Sequence, residues 1–160
     1  MSRLIYLIIV APILLGGCSW CSGLKPIDNG TRLYVACRSD RQHFWLYLPE
    51  NYDSTKRYPL IVSLHGMRPY DVARHHVDSW AKLADDYGYV VLAPDLSFDT
   101  YTPLPPAMGP SVQKDLAHVL ACMDQVLADY PIDRNAVLLT SWSMGGYLAH
   151  RLAVDHGDRF

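Results

Sequence analysis

Ser143 lies in the run Val137-Leu138-Leu139-Thr140-Ser141-Trp142-Ser143-Met144-Gly145-Gly146-Tyr147. An apolar stretch meets a serine with a small residue two positions to either side, Ser141 and Gly145, and a helical pattern starts at once. This is the layout of a nucleophile elbow, a tight strand-to-helix turn that lifts a serine hydroxyl clear of the backbone. The turn strains the serine, and small neighbours let strand and helix approach. The usual pattern is Gly-x-Ser-x-Gly, so Ser141 departs from it by a hydroxymethyl group. The chemistry would be acyl transfer: the serine attacks an acyl carbon and holds it as an acyl-enzyme. Taken alone, Ser143 reads equally as a helix N-cap.

The elements that must hold this serine alternate along the chain. Arg32–Cys37 and His43–Leu48 are aromatic and β-branched runs around Ser39-Asp40, which predicts a hairpin. Tyr58–Leu64 is apolar without clean alternation, as in a strand covered on both faces, and His65-Gly66-Met67-Arg68-Pro69 breaks it. Val77, Trp80, Leu83, Ala84 and Tyr87 recur at helical spacing up to a Gly88 cap, and Tyr89–Ala93 is the next strand. A proline-rich loop over 97–110 leads to a helix with Ser111 as its N-cap. Leu116, Val119, Leu120, Met123, Val126 and Leu127 form its apolar face. Ala136–Thr140 then runs into the elbow. The alternation predicts an α/β fold: a parallel sheet with right-handed crossovers and an antiparallel hairpin at its edge. Ligands in such sheets bind at the carboxyl ends of strands, where both Ser143 and the His65-Gly66 turn fall.

The 160 residues are 50% hydrophobic with net charge −2, which suits one globular domain with a real core. Without a Lys/Arg cluster, nucleic acid is not the expected partner. Leu4–Leu15, after Arg3, is almost wholly apolar but shorter than the roughly 20 residues of a membrane span. Leu15-Gly16-Gly17-Cys18 follows and resembles the lipobox of bacterial lipoproteins. That implies cleavage before Cys18, lipid on its sulfur, and an exported chain anchored in the cell envelope; a plain secretory signal is the alternative. Residues 1–17 are therefore expected to be a signal peptide, 18–30 a tether and 31–160 the domain. Export allows disulfides, with Cys21 and Cys37 the expected pair and all thiols unpaired the alternative. No metal site is expected: His75-His76 lacks a completing ligand and reads as a solvated helix start. No cofactor is required.

Three blocks carry a family resemblance: Leu46–Pro49 with Tyr58–Gly66, Tyr130–Val137, and Ser141–Gly146. On these the chain resembles the α/β-hydrolase superfamily, and within it secreted esterases of the polyhydroxybutyrate depolymerase and feruloyl or acetylxylan esterase type. The resemblance implies the N-terminal part of a three-layer α/β-hydrolase sandwich. It implies a serine carboxylester hydrolase with Ser143 as nucleophile, acting on an acylated polysaccharide, a polyester or a small ester. The oxyanion would be held by the N–H of Met144 and by the loop after the His65-Gly66 strand, through Met67 or else Gly66. Ser141 and Gly145 would flank the elbow; His65 would brace the loop or is simply a satisfied buried histidine. Tyr70, Tyr101 and the proline-rich loop would line a pocket together with Trp142, which alternatively packs beneath the loop.

Serine needs a base, and in this fold the order is Ser, then an acid, then His. Only seventeen residues follow Ser143. On a helix rising 1.5 Å per residue, His156 would lie about 20 Å from Ser143 and His150 about 10 Å, pointing elsewhere. The acid and base are therefore expected beyond Phe160, in a chain read as C-terminally truncated and inactive alone. The alternatives are a serine peptidase on the same fold, or a non-catalytic envelope lipoprotein that uses the fold for binding.

Overall fold

The computed structural model describes residues 30–97 and 109–160. The expected signal peptide, the tether up to residue 29, Cys18, Cys21 and Tyr101 lie outside the described residues. Five strands form one sheet: β1 (Thr31–Ala36), β2 (His43–Leu48), β3 (Tyr58–Leu64), β4 (Val90–Pro94) and β5 (Ile132–Ser141). Helix α1 (Ala73–Tyr87) follows β3, α2 (Gly109–Asp129) follows β4, and α3 (Met144–Asp155) follows β5. A 3-10 turn at Gly157–Arg159 ends the described chain.

The sheet order is β1-β2-β4-β3-β5. β1 and β2 form the expected antiparallel hairpin, β2 also runs antiparallel to β4, and β4, β3 and β5 are parallel. Side chains alternate between two cores, as the pleat requires. Leu60, Val62 and Leu64 of β3 join Val90 and Leu92 of β4 beneath Val119, Met123, Leu148 and Leu152 of α2 and α3. Ile61, Val91 and Ala93 face the other way, against Val77, Ala81 and Ala84 of α1. Helices thus cover both faces of a mixed sheet in three layers. No described helix is long and apolar enough to cross a membrane.

Local signals set most of the boundaries. Gly88 takes the left-handed conformation that a glycine cap favours, φ 73 and ψ 51, and its N–H closes on Ala84 O at 2.8 Å. α2 starts two residues before the expected cap, so Ser111 lies inside its first turn; Pro110 suits such a start because its missing N–H is not needed there. β5 begins earlier than expected, at Ile132, and its register against β3 shifts between the Tyr58 and Leu60 pairings. Asp133–Asn135 falls in that irregular part, with Asn135 N–H on Asp133 Oδ1 at 3.0 Å. The expected partner of Cys37, Cys21, is outside the described residues; Cys37 is 1% exposed and lies beside Cys122 and His118. Its sulfur points into the space between the hairpin turn and α2.

Candidate active site

β3 and β5 pair in register, Leu64 opposite Ser141, so the turns after them emerge side by side. Trp142 N–H donates to Leu64 O at 3.0 Å and ties the two turns together. Ser143 then adopts φ 50 and ψ −121, and α3 starts at the next residue. With Arg41 it is one of two described non-glycine residues at positive φ. Such a conformation persists only where its surroundings enforce it. Here Gly145 N–H bonds to Trp142 O and Gly146 N–H to Ser143 O, both at 2.9 Å, closing the turn.

Glycine is required at position 145. A Cβ there would lie 2.5 Å from Leu64 O and 2.6 Å from His65 O, so only a bare backbone lets α3 sit on the end of β3. Position 146 is open: the atom nearest its virtual Cβ is Ser141 Oγ at 3.7 Å. The hydroxymethyl of Ser141 therefore occupies room beside a glycine, which accounts for the departure from the usual pattern.

The hydroxyl of Ser143 is exposed, makes no cap hydrogen bond and has no described partner. Gly66 reaches it from the neighbouring turn: a Cβ at 66 would be 3.1 Å from Ser143 Cβ and 3.4 Å from Trp142 O. The Gly66 N–H is already engaged, donating to Asp71 Oδ2 at 2.7 Å. No described residue accepts the N–H of Met67 or of Met144. The Met144 N–H opens α3, where the helix dipole adds a partial positive charge.

A buried polar chain fixes the Gly66 turn. Asp71 Oδ2 takes both Gly66 N–H and, at 2.9 Å, Nε2 of His76. His76 Nδ1 is 2.7 Å from Ser63 Oγ, which also receives Trp80 Nε1–H at 3.2 Å. With the proton on Nε2, His76 donates to Asp71 and accepts from Ser63, and every group is satisfied. Burial alone would raise the Asp71 pKa, but the Gly66 N–H and His76 outweigh it and hold the carboxyl below its ordinary value. This is a serine–histidine–aspartate chain in composition, yet Ser63 is 1% exposed and its hydroxyl is engaged by both His76 and Trp80. It supports the turn. Sequence reasoning missed it: His75, 61% exposed at its side chain, is the solvated helix start expected, but His76 is 11% exposed and its carboxylate partner precedes the helix.

His65 is wholly buried. Its Nε2 accepts Leu96 N–H at 2.8 Å, so Nδ1 carries the ring proton and donates to Gly66 O at 2.7 Å. Burial pushes its pKa down and keeps it neutral, a brace between β3 and the end of β4. Asp115 of α2 continues the brace, accepting Ser97 N–H at 3.1 Å and Ser97 Oγ–H at 2.9 Å. None of the seven histidines hydrogen-bonds Ser143. His150 is exposed on α3 and His156 caps its end, as far along the helix as expected.

A groove of about 650 Å³ opens beside the elbow, lined by Ser63, Tyr70, Asp71, His75, His76, Trp80, Ser141 and Trp142. Tyr70 and Trp142 are 78% and 68% exposed and form its aromatic rim.

No protein-family model matches the chain. It is 41% identical over 154 residues to a probable dipeptidyl-peptidase 5 of Aspergillus clavatus, a match covering 86% of this chain and 20% of that protein. It is 25% identical over 168 residues to a probable feruloyl esterase C of Aspergillus terreus, covering 100% of this chain and 58% of that protein. Among solved structures it is similar to a CE1 ferulic acid esterase of Anaeromyces mucronatus in complex with ferulic acid. The TM-score is 0.62 at 17% identity, over 91% of this chain and 60% of that one. The chain spans a fifth or less of the length of the dipeptidyl-peptidases it matches. Its fold is that of the α/β-hydrolases.

Proposed function

We propose that this chain carries the nucleophile of a serine hydrolase that cleaves carboxylic esters through an acyl-enzyme on Ser143. The observation that carries the proposal is the backbone of Ser143: φ 50 and ψ −121 at the carboxyl end of β5, with an exposed hydroxyl that no described residue engages. An N-cap serine would spend its oxygen on the helix; this one does not. Its Oγ attacks the acyl carbon, and the carbonyl oxygen becomes an oxyanion that needs two donors near 3 Å. Met144 N–H supplies one. Met67 supplies the other, because Asp71 already holds the Gly66 N–H. Gly66 serves by lacking a side chain within 3.1 Å of the nucleophile.

That no described histidine hydrogen-bonds Ser143 supports a base and acid supplied from outside these residues. The 160-residue chain alone is therefore expected to turn over p-nitrophenyl acetate no faster than its Ser143→Ala variant. Turnover that Ser143→Ala abolishes would refute this.

Likeness to feruloyl and acetylxylan esterases favours an acylated polysaccharide as substrate. The exposed Trp142 and Tyr70 on the groove suit an aromatic acyl group. A second reading, a peptidase, is favoured by the 41% identity to a dipeptidyl-peptidase 5. The deciding experiment uses the complete gene product. Fluorophosphonate should label it at Ser143, and Ser143→Ala should lower turnover by about 10³-fold or more. Methyl ferulate or acetylated xylan cleaved in preference to dipeptidyl p-nitroanilides supports the esterase, and the reverse the peptidase. Absence of labelling defeats both and leaves a binding protein. Lipid on Cys18 would place the enzyme at the cell envelope; a palmitate analogue that labels wild type and Cys18→Ser equally would exclude that.

A further inference from the structure

Helix α2 presents a polar stripe to the turn after β1. Its residues 118, 122, 125 and 129 are spaced by three and four, and so share one face. Each meets the turn. His118 Nδ1 is 2.8 Å from Asp40 Oδ2, Gln125 Oε1 accepts Arg38 N–H at 2.8 Å, and Asp129 pairs with the Arg38 guanidinium at 2.7 Å. Cys122 meets Cys37 in the centre of this stripe. The two sulfurs and the His118 ring lie within 4.8 Å of one another, and all three residues are at most 1% exposed.

Two thiols and an imidazole at this spacing resemble a metal site, but the imidazole is already engaged. His118 Nδ1 is held by Asp40, and Nε2 lies 3.1 Å from His43 O. Asp40 and His43 O thus set the orientation of the ring, and its Nε2 lies 3.5 Å from Cys122 Sγ. The thiols have only weak contacts: Cys37 Sγ has Ser39 Oγ at 3.2 Å, and Cys122 Sγ has the His118 ring nitrogens at 3.5 and 3.6 Å.

We propose that Cys37 and Cys122 are oxidised to a disulfide that staples the hairpin turn to α2. The oxidant is a disulfide, of a small thiol or of a dithiol protein. One cysteine thiolate attacks a sulfur of the oxidant and releases one thiol, forming a mixed disulfide. The other cysteine attacks the first cysteine's sulfur and releases the second thiol. Two protein thiols are oxidised, one disulfide is reduced to two thiols, and the two protons pass to the departing thiolates. Burial pushes the Cys122 thiol up, so the reacting thiolate is scarce once the turn is sealed. Oxidation therefore belongs to folding, before α2 closes over the turn. The bond would fix the face of α2 that also carries Asp115, and with it the Ser97 end of β4. This inference does not depend on the activity of Ser143.

The test is a peptide map of the chain refolded in a buffer of reduced and oxidised glutathione. Trypsin cuts after Arg32, Arg38, Lys114 and Arg134, and so places Cys37 in peptide 33–38 and Cys122 in peptide 115–134. Without reductant these two are expected as one cross-linked mass that separates on reduction. The linked mass should be absent from Cys37→Ser and Cys122→Ser. Cross-linking of Cys37 to Cys21 would overturn the proposal, and so would recovery of both thiols free. Stoichiometric zinc in the refolded wild-type chain, lost in Cys122→Ser and with no cross-link, would overturn it in favour of a metal.

Discussion

Two adjacent glycines separate what the elbow requires from what it tolerates. Gly145→Ala puts a methyl group 2.5 Å from a backbone oxygen that cannot move without breaking the end of β3. Overpacking of this kind costs about 1–3 kcal/mol, and the urea midpoint should fall accordingly. Gly146→Ala meets nothing closer than 3.7 Å and sits in a helix, where alanine gains up to about 1 kcal/mol over glycine. Equal loss in both variants would show that the α3 contact on β3 is not the constraint. His65 adds a pH dependence. Burial holds its folded pKa below the ordinary 6.5, so the unfolded chain takes up a proton first as pH falls. Stability is thus complete above about pH 6.5 and is lost as acidification proceeds from there towards the folded value. Melting temperatures measured from pH 7.5 to 5.5 should decline, and His65→Gln should flatten the decline. An unchanged slope would exclude His65 as its origin.

At the scale of elements, the turn after β3 is held by a residue that precedes α1. Asp71→Ala would release the Gly66 N–H and leave His76 Nε2 without its acceptor. A hydrogen bond to a charged group contributes about 1.5–3 kcal/mol, so a loss near 2 kcal/mol is expected in urea unfolding. The specific readout is hydrogen exchange at the Gly66 amide, which should accelerate well beyond the global change. An amide as protected as in wild type would contradict the bond. Little of this was legible beforehand. Strands and helices were, because apolar periodicity reports burial: β3 and β4 are buried where the pattern says, although Leu83, Tyr87 and Leu138 stay exposed. The elbow was legible because Ser143 and Gly145 are a local pattern. The Asp71–His76–Ser63 chain was not, since it joins a loop, a helix and a strand whose closeness exists only after folding. Cys37 shows the same limit: its neighbour in space, Cys122, is 85 residues away along the chain. The start of β5 was misplaced because its first residues pair in an irregular register that no periodicity marks.

For the molecule as a whole, the sheet is asymmetric. β1 ends one side with a short antiparallel strand bearing Tyr34 and Arg32. On the other side β5 pairs only with β3 among the described strands, and the site stands on that edge. Leu138 of β5 is 52% exposed, and a second groove of about 420 Å³ runs along it between Leu83, Trp80, Tyr89 and Pro59. An edge with free backbone groups and apolar side chains is a template for another strand. A charge at its centre should block that at little cost, since exposed substitutions usually change stability by no more than about 0.5 kcal/mol. Leu138→Lys is therefore expected to keep the unfolding midpoint of the 160-residue chain while lowering its light scattering as concentration rises. A charge at Val154, 68% exposed on α3 and away from the β5 strand, should leave the scattering as it was. If both variants associate as wild type does, the β5 edge is not the surface through which the chain self-associates. If only Leu138→Lys stays monomeric, the strand that positions Ser143 is also the one that needs a neighbour.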